Sequence, residues 1–291
     1  MALTSLLPCW CGSTDWRVCF QRPRGGLVRC TRCGCYQTDP PPLTQSEQLK
    51  NFYTDYYSKG PAEGGPIEDP SNSYSAGFWK VAEQVPDLRR VANRVVDIGS
   101  GDGHLCAELR AVGWPDVVGV EASATRAARA RRFYPDINFM NCYLSESHEP
   151  ERSFDMMVIE SVIEHLPKPI GQLEELRRYI RPGGTLVVTT PNMDSGHFRL
   201  LGKRWTGMLA PHAHIFLFTA AALRTALQNA GFQEISTGSF PLQPYSLAQL
   251  GRRFFSGDVK GAVWRAHQEL GSIYGRLIRQ EPMLYAVGTV N

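Results

Sequence analysis

Six of the eight cysteines lie between Cys9 and Cys35, most of them in two short knots, Cys9-Trp10-Cys11-Gly12 and Cys30-Thr31-Arg32-Cys33-Gly34-Cys35. Tetrahedral zinc takes four thiolates, and glycine after the second cysteine of each turn lets backbone amides point back at sulfur. Cys9, Cys11, Cys30 and Cys33 are therefore the expected ligands of a zinc knuckle. The first turn is C-x-C, one residue short of the usual spacing, so Cys35 stands as the substitute ligand. Free or fortuitously paired thiols are the alternative. A site closed by four protein ligands has no position for substrate, which makes the knuckle structural or a docking surface.

A second group of residues points to nucleoside chemistry. Val95-Val96-Asp97-Ile98 runs into Gly99-Ser100-Gly101-Asp102-Gly103-His104. Three alternating glycines at a strand-to-helix turn let a ligand approach the backbone and the amide end of the next helix. A dinucleotide fingerprint wants glycine or alanine at the sixth position, where His104 stands, so the pattern is G-x-G-x-G instead. Glu121 closes the next apolar run, Val118-Gly119-Val120, and a carboxylate there accepts hydrogen bonds from both ribose hydroxyls of an adenosine ligand. Three histidines are candidate general bases: His165, after Glu164, and the pair in Pro211-His212-Ala213-His214.

These groups need elements to hold them. The chain has 291 residues, 43% apolar and 20% charged, which is enough for a core without staples and excludes wholesale disorder, collagen and coiled coil. After Asp39-Pro40-Pro41-Pro42, residues 43–57 read as a short Tyr-rich helix and 58–73 as a Gly/Pro/Ser loop, together a lid or linker. A helix over Tyr74–Arg90 is followed by alternation. Strands are expected at Val91–Ile98, Val117–Glu121, Ile137–Asn141, Phe154–Ile159 and Thr185–Thr190, with helices at Leu105–Val112, Ala122–Phe133 and Pro169–Ile180. A further strand is expected near Glu234–Thr237, and Met283–Val290 reads as the last. Such alternation predicts an α/β fold with a parallel sheet covered by helices on both faces. Ligands then sit beyond the carboxyl ends of the strands.

The motif series VVDIGSGDG (95–103), VVGVEAS (117–123), FDMMVIESVIEHL (154–166) and RPGGTLVVTTPN (181–192) resembles the class I S-adenosylmethionine-dependent methyltransferases. The resemblance implies a Rossmann-like seven-stranded sheet preceded by the zinc knuckle. It assigns Asp97, Gly99, Gly101 and Glu121 to the cofactor. Adenine falls to Tyr143 and Leu144, because Asn141-Cys142-Tyr143-Leu144 lacks the acid that family members often carry there, and Glu160 would face the sulfonium. With the Cys-rich start and the aromatic run Phe52–Tyr57, the chain is similar to ubiquinone-pathway O-methyltransferases and to sugar- and natural-product-modifying enzymes. Domains follow as 1–42 zinc knuckle, 43–73 lid and 74–291 methyltransferase domain, with an acceptor-side insertion at 192–216 and a helical insertion at 240–280.

Methyl transfer needs the donor and a deprotonated acceptor held in line. The expected reaction is transfer to a hydroxyl of a small polar acceptor, with His165 or His214 as base beside Glu164. Some relatives hold a divalent ion with E-x-x-E-H and a later histidine; here Ser161 replaces the first carboxylate, leaving Glu164, His165 and His214 as possible Mg2+ ligands. The alternatives are an RNA methyltransferase, or a C- or N-methyltransferase acting on a natural-product or sugar intermediate.

Charge favours an anionic or carrier-linked acceptor. Residues 1–35 carry five Arg against one Asp and residues 196–291 ten bases against four acids, around a middle with 16 bases and 23 acids. A net charge of only +3 makes nucleic acid the less expected partner. No apolar run reaches ~18 residues, so no membrane span is expected. The start does not read as a signal peptide, and the cysteines fit a reducing, cytoplasmic setting.

Overall fold

The computed structural model describes residues 6–21, 25–41, 76–90, 93–202, 213–241, 270–271 and 273–291. The sheet that carries the Gly-rich turn has seven strands, built from β4 (Arg94–Ile98), β5 (Asp116–Val120), β6 (Asn138–Met140), β7 (Phe154–Glu160), β8 (Ile180–Pro191), β10 (Gln233–Phe240) and β11 (Met283–Thr289), in the order β10-β11-β8-β7-β4-β5-β6. Strands β4 to β8 pair in parallel, while β11 runs antiparallel to β8 and β10 antiparallel to β11. The central strands β4 and β7 carry apolar residues on both faces because both faces are covered: Val95, Val96, Met157, Val158 and Ile159 are all buried, and Asp97 interrupts the run in β4.

The helices follow local chemistry. α1 (Ala76–Gln84) ends before Pro86, which opens a 3-10 turn at Pro86–Arg89, so the expected helix to Arg90 is broken where proline removes a donor. α2 (His104–Ala111) follows the glycine turn, with Leu105, Cys106 and Leu109 facing the sheet. α3 (Ala124–Phe133) starts two residues later than expected because the Ser123 hydroxyl caps it, accepting from the Arg126 N–H. α4 (Pro169–Arg177) stops short of the expected Ile180. That residue instead opens β8, whose Arg181-Pro182-Gly183-Gly184 segment is the irregularity between the pairs Phe154–Ile180 and Met156–Thr185 with β7. α5 (Gly196–Leu201) and α6 (Ala220–Asn229) follow β8 in the chain.

A second sheet, β1-β2-β3-β9, belongs to both ends of the fold. The spacer between the cysteine knots forms the hairpin β1 (Trp16–Phe20) and β2 (Gly26–Cys30), and β3 (Tyr36–Asp39) adds the third strand. The fourth, β9 (Phe216–Leu217), comes from beyond β8, with Tyr36 opposite Leu217 and Gln37 opposite Phe216. Two residues carry no periodicity, so this pairing has no local signal. Cys9, Cys30 and Cys35 consequently share one apolar cluster with Ile163, Phe216, Phe218 and the main sheet. The Tyr-rich segment and loop at 43–73, residues 203–212 with His212, and most of the 240–280 stretch lie outside the described residues. No helix among the described residues is long and apolar enough to cross a membrane.

Candidate active site

Gly99, Gly101 and Gly103 all have positive φ, at 76°, 56° and 86°. Side chains rarely adopt this backbone. At Gly99 space forbids one too: a Cβ would lie 2.5 Å from Val162 Cγ2, whereas one on Gly101 would need only the flexible end of Arg126 to move. The turn is tied to β5 by the Gly99 N–H, which donates to the Val120 carbonyl at 2.7 Å.

Glu121 brackets the turn from the next strand end. Its Oε2 accepts from the Gly101 N–H at 2.9 Å and its Oε1 from the Ser123 N–H at 2.6 Å. Burial pushes this carboxyl up from its usual range, against the pull of the Ser123 and Gly101 amides. A carboxylate has about four acceptor positions, so two remain for hydroxyl donors. Asn141, which sequence reasoning passed over, fixes the same corner, its Nδ2 donating to the carbonyls of Glu121 at 2.9 Å and Ala122 at 3.1 Å. Asn141 was readable as a strand-end amide but carried no motif. Tyr143 and Leu144 follow it, Leu144 buried and Tyr143 half-buried, with the phenol pushed up first by burial and then by the Glu146 and Glu121 charges.

Two more carboxyls occupy the floor. Asp97, 4% exposed in β4, accepts a thiol contact from Cys106 at 3.8 Å, and burial raises it from 3.8 to about 7. Glu160 ends β7 and faces α1, where the Gly77 N–H donates to it, and burial holds it well above the usual carboxylate range. A Cβ on Gly77 would stand 1.9 Å from Glu160 Oε1. Gly77→Ala should therefore cost about 1–3 kcal/mol in urea unfolding, because the acid or α1 must move. A change under a few tenths of a kcal/mol would show that α1 does not pack on Glu160.

The raised carboxyls give a stability slope of definite sign. A group protonated in the fold but ionised in the unfolded chain stabilises below its unfolded value and loses that contribution as pH rises through its folded value. For Asp97 the window runs from 3.8 to about 7. The melting temperature of the ligand-free protein should fall across that window, and Asp97→Asn should flatten the fall. A slope unchanged in the variant would mean that Asp97 ionises normally.

Across the glycine turn sit Glu164, His165 and His214, whose ligand-capable atoms all lie within 4.8 Å of one another. Val162, which packs on Gly99, opens the 3-10 turn Ile163–His165 that carries two of them, so this cluster adjoins the glycine turn. The His165 Nδ1–H donates to the Ala213 carbonyl at 3.0 Å, which leaves Nε2 as the acceptor of the neutral ring. The two imidazoles meet edge to face at 4.8 Å. Glu164 is 1% exposed and accepts from Thr190 Oγ1 at 2.9 Å; burial raises it, against the pull of His165. Ser161 has φ 54°, and Glu160 before it contacts α1 at Gly77.

The four expected thiols also converge. Sγ atoms of Cys9 and Cys33 are 3.5 Å apart and those of Cys11 and Cys30 3.6 Å, far beyond a disulfide bond. Tetrahedral zinc with bonds of ~2.3 Å would set sulfurs about 3.8 Å apart, so the donor set and its spacing fit that ion. The thiol hydrogen bond from Cys9 lowers Cys33 to about 5 and raises Cys9. Cys35 is not in the cluster: it is fully buried and its thiol donates to the Leu217 carbonyl at 3.2 Å.

Residues 76–237 match the methyltransferase-domain family. The chain belongs to the class I S-adenosylmethionine-dependent methyltransferases. Among curated relatives, trans-aconitate 2-methyltransferase of Azoarcus sp. is 35% identical over 45% of this chain and 53% of that protein. A probable S-adenosylmethionine-dependent methyltransferase of Mycolicibacterium smegmatis is 31% identical over 65% of this chain and 72% of that protein. A tRNA U34 carboxymethyltransferase of Alcanivorax borkumensis is 27% identical over 62% and 56%. The methyltransferase thus spans about half to three quarters of the length of these relatives. Its fold is shared with a chain from the complex between the Haloferax volcanii Trm112 methyltransferase activator and the putative methyltransferase, at a TM-score of 0.56 and 19% identity, covering 84% of this chain and 97% of that one. The tRNA relatives remove the ground for discounting nucleic acid, which rested on net charge alone; a methyltransferase needs a charged rim, not a charged molecule, to engage phosphates.

Proposed function

We propose that this methyltransferase transfers a methyl group from S-adenosylmethionine to an oxygen of an anionic acceptor, with the histidines as proton acceptors. The reading is carried by one observation, the convergence of Glu164, His165 and His214 beside the glycine turn. When bound, S-adenosylmethionine supplies a methyl group on a sulfonium, open to in-line displacement. Glu121 keeps two acceptor positions for the ribose hydroxyls, and Asn141 holds its backbone in place. Tyr143 and Leu144 offer an apolar and aromatic face for adenine. With Nδ1 bonded to the Ala213 carbonyl, His165 takes the acceptor proton at Nε2; His214 lies within reach to share it. Thr190 and the burial of Glu164 keep that carboxyl fixed against the pair.

A second reading rests on the same three residues. They offer one carboxylate and two imidazoles to a divalent cation, which would polarise the acceptor hydroxyl. The cysteine cluster would hold structural zinc, and one zinc per chain is expected by atomic emission, falling in Cys33→Ser; a metal-free wild type that melts no lower than the loaded form would contradict a structural role.

The test is transfer of labelled methyl from S-adenosylmethionine into separated small-molecule and RNA fractions of a cell extract, with and without chelator. Label in the anionic small-molecule fraction, unaffected by chelator, is expected. Label confined to RNA would replace the acceptor, and loss on chelation would favour the cation.

A further inference from the structure

The segment that leads into β9, the strand completing the cysteine sheet, delivers His214. On one side, residues 213–215 are pinned to the catalytic turn, with His165 Nδ1 on the Ala213 carbonyl at 3.0 Å and the Ile215 N–H donating to the Glu164 carbonyl at 2.8 Å. On the other side they are pinned to β3. Thr38, 1% exposed, donates its hydroxyl to the His214 carbonyl at 2.7 Å and its N–H to the Ile215 carbonyl at 3.3 Å. The Cys35 thiol donates to the Leu217 carbonyl, and Trp10, between two of the clustered thiols in sequence, stacks on Phe218 at 6.4 Å. Residues 213–218 are thus clamped between the knuckle and the Glu164–His165 turn.

We propose that the cysteine knuckle is a wall of the acceptor site rather than an appendage, and that Thr38 is a positioning residue which sets His214 through its backbone carbonyl. The inference rests on the reading of His214 as an acceptor-site residue. The physical reason is economy of constraint. Residues 213–217 have no helix or long strand of their own, and a two-residue strand holds its place only through its neighbours. Small metal-bound ribbons order on metal binding. Order gained at Cys9, Cys11, Cys30 and Cys33 then passes through β2 and β3 to the carbonyls of His214, Ile215 and Leu217.

The test reads His214 directly, in the full chain loaded with zinc. Its rate of modification by diethyl pyrocarbonate is followed by mass spectrometry, with exposed His148 as internal reference. Thr38→Val keeps the shape and the N–H but removes the hydroxyl, and should raise the His214 rate about fivefold, the opening that loss of one buried hydrogen bond permits. Thr38→Ser should restore it. Zinc content and calorimetric affinity for S-adenosylmethionine should not change. Stripping zinc from the wild type should raise the same rate and speed amide exchange in the 213–217 peptide, which also serves if Thr38→Val does not fold. A His214 rate and a 213–217 exchange rate indifferent both to Thr38→Val and to zinc would overturn the proposal. Coupling in a protein that transfers no methyl group would sink the functional reading alone; an active protein without the coupling would sink this inference alone.

Discussion

Glu121→Ala is expected to weaken S-adenosylmethionine binding by about a hundredfold or more in calorimetric titration. Two terms add. The ribose hydroxyls lose their acceptor, and hydrogen bonds to a charged group contribute ~1.5–3 kcal/mol each, so even one such loss is a tenfold change or more. The Gly101 and Ser123 amides also lose the acceptor that braces the loop in the free protein, so the site must be reordered on binding. Glu121→Gln should recover little, because one of its two polar ends is an NH2 facing an N–H donor. The Gly101 φ of 56° makes the loop dependent on that brace, so the variant should also lose protection of the 99–103 amides in hydrogen exchange. Affinity within a few-fold of wild type would place the nucleoside elsewhere.

The second large effect falls on turnover. His165→Gln combined with His214→Gln should lower the rate of methyl transfer by ~10²–10⁴, the span of general-base contributions, while leaving S-adenosylmethionine affinity at the wild-type value. The split between rate and binding matters more than the size, because it separates the acceptor side of the site from the nucleoside side. The single variants should not add, since the two rings meet at 4.8 Å and serve one proton. His165→Gln is expected to be the worse of the two: it also gives up the Nδ1 bond that anchors Ala213. Equal turnover in the double variant would remove the histidines from the chemistry.

Much of this site was legible from the chain because its signals are local. The alternating glycines and Glu121 stand on consecutive strand ends, and Val- and Ile-rich runs mark strands buried on both faces, so the corner where Glu121 meets the glycine turn was legible from the chain. Element ends were less legible. Ser123 moved the start of α3 through a side-chain cap, and the Arg181–Gly184 segment, which looks like a turn, became the first part of β8. Contacts between distant segments could not be read at all. Nothing in Phe216-Leu217 announces a strand until β3 lies beside it, and Thr38 looks like any strand threonine until His214 is opposite. Cys35 shows the same limit from the other direction: its spacing makes it a plausible ligand, and only the position of the Leu217 carbonyl takes it out of the cluster.

The most direct measurement is a crystal structure of the protein with S-adenosylhomocysteine. The ribose hydroxyls are expected on the Glu121 carboxylate, the homocysteine portion along Gly99–Gly103, and the sulfur on the side of the turn that faces His165 and His214. A nucleoside bound away from Glu121, or a sulfur pointing away from Glu164, His165 and His214, would contradict it.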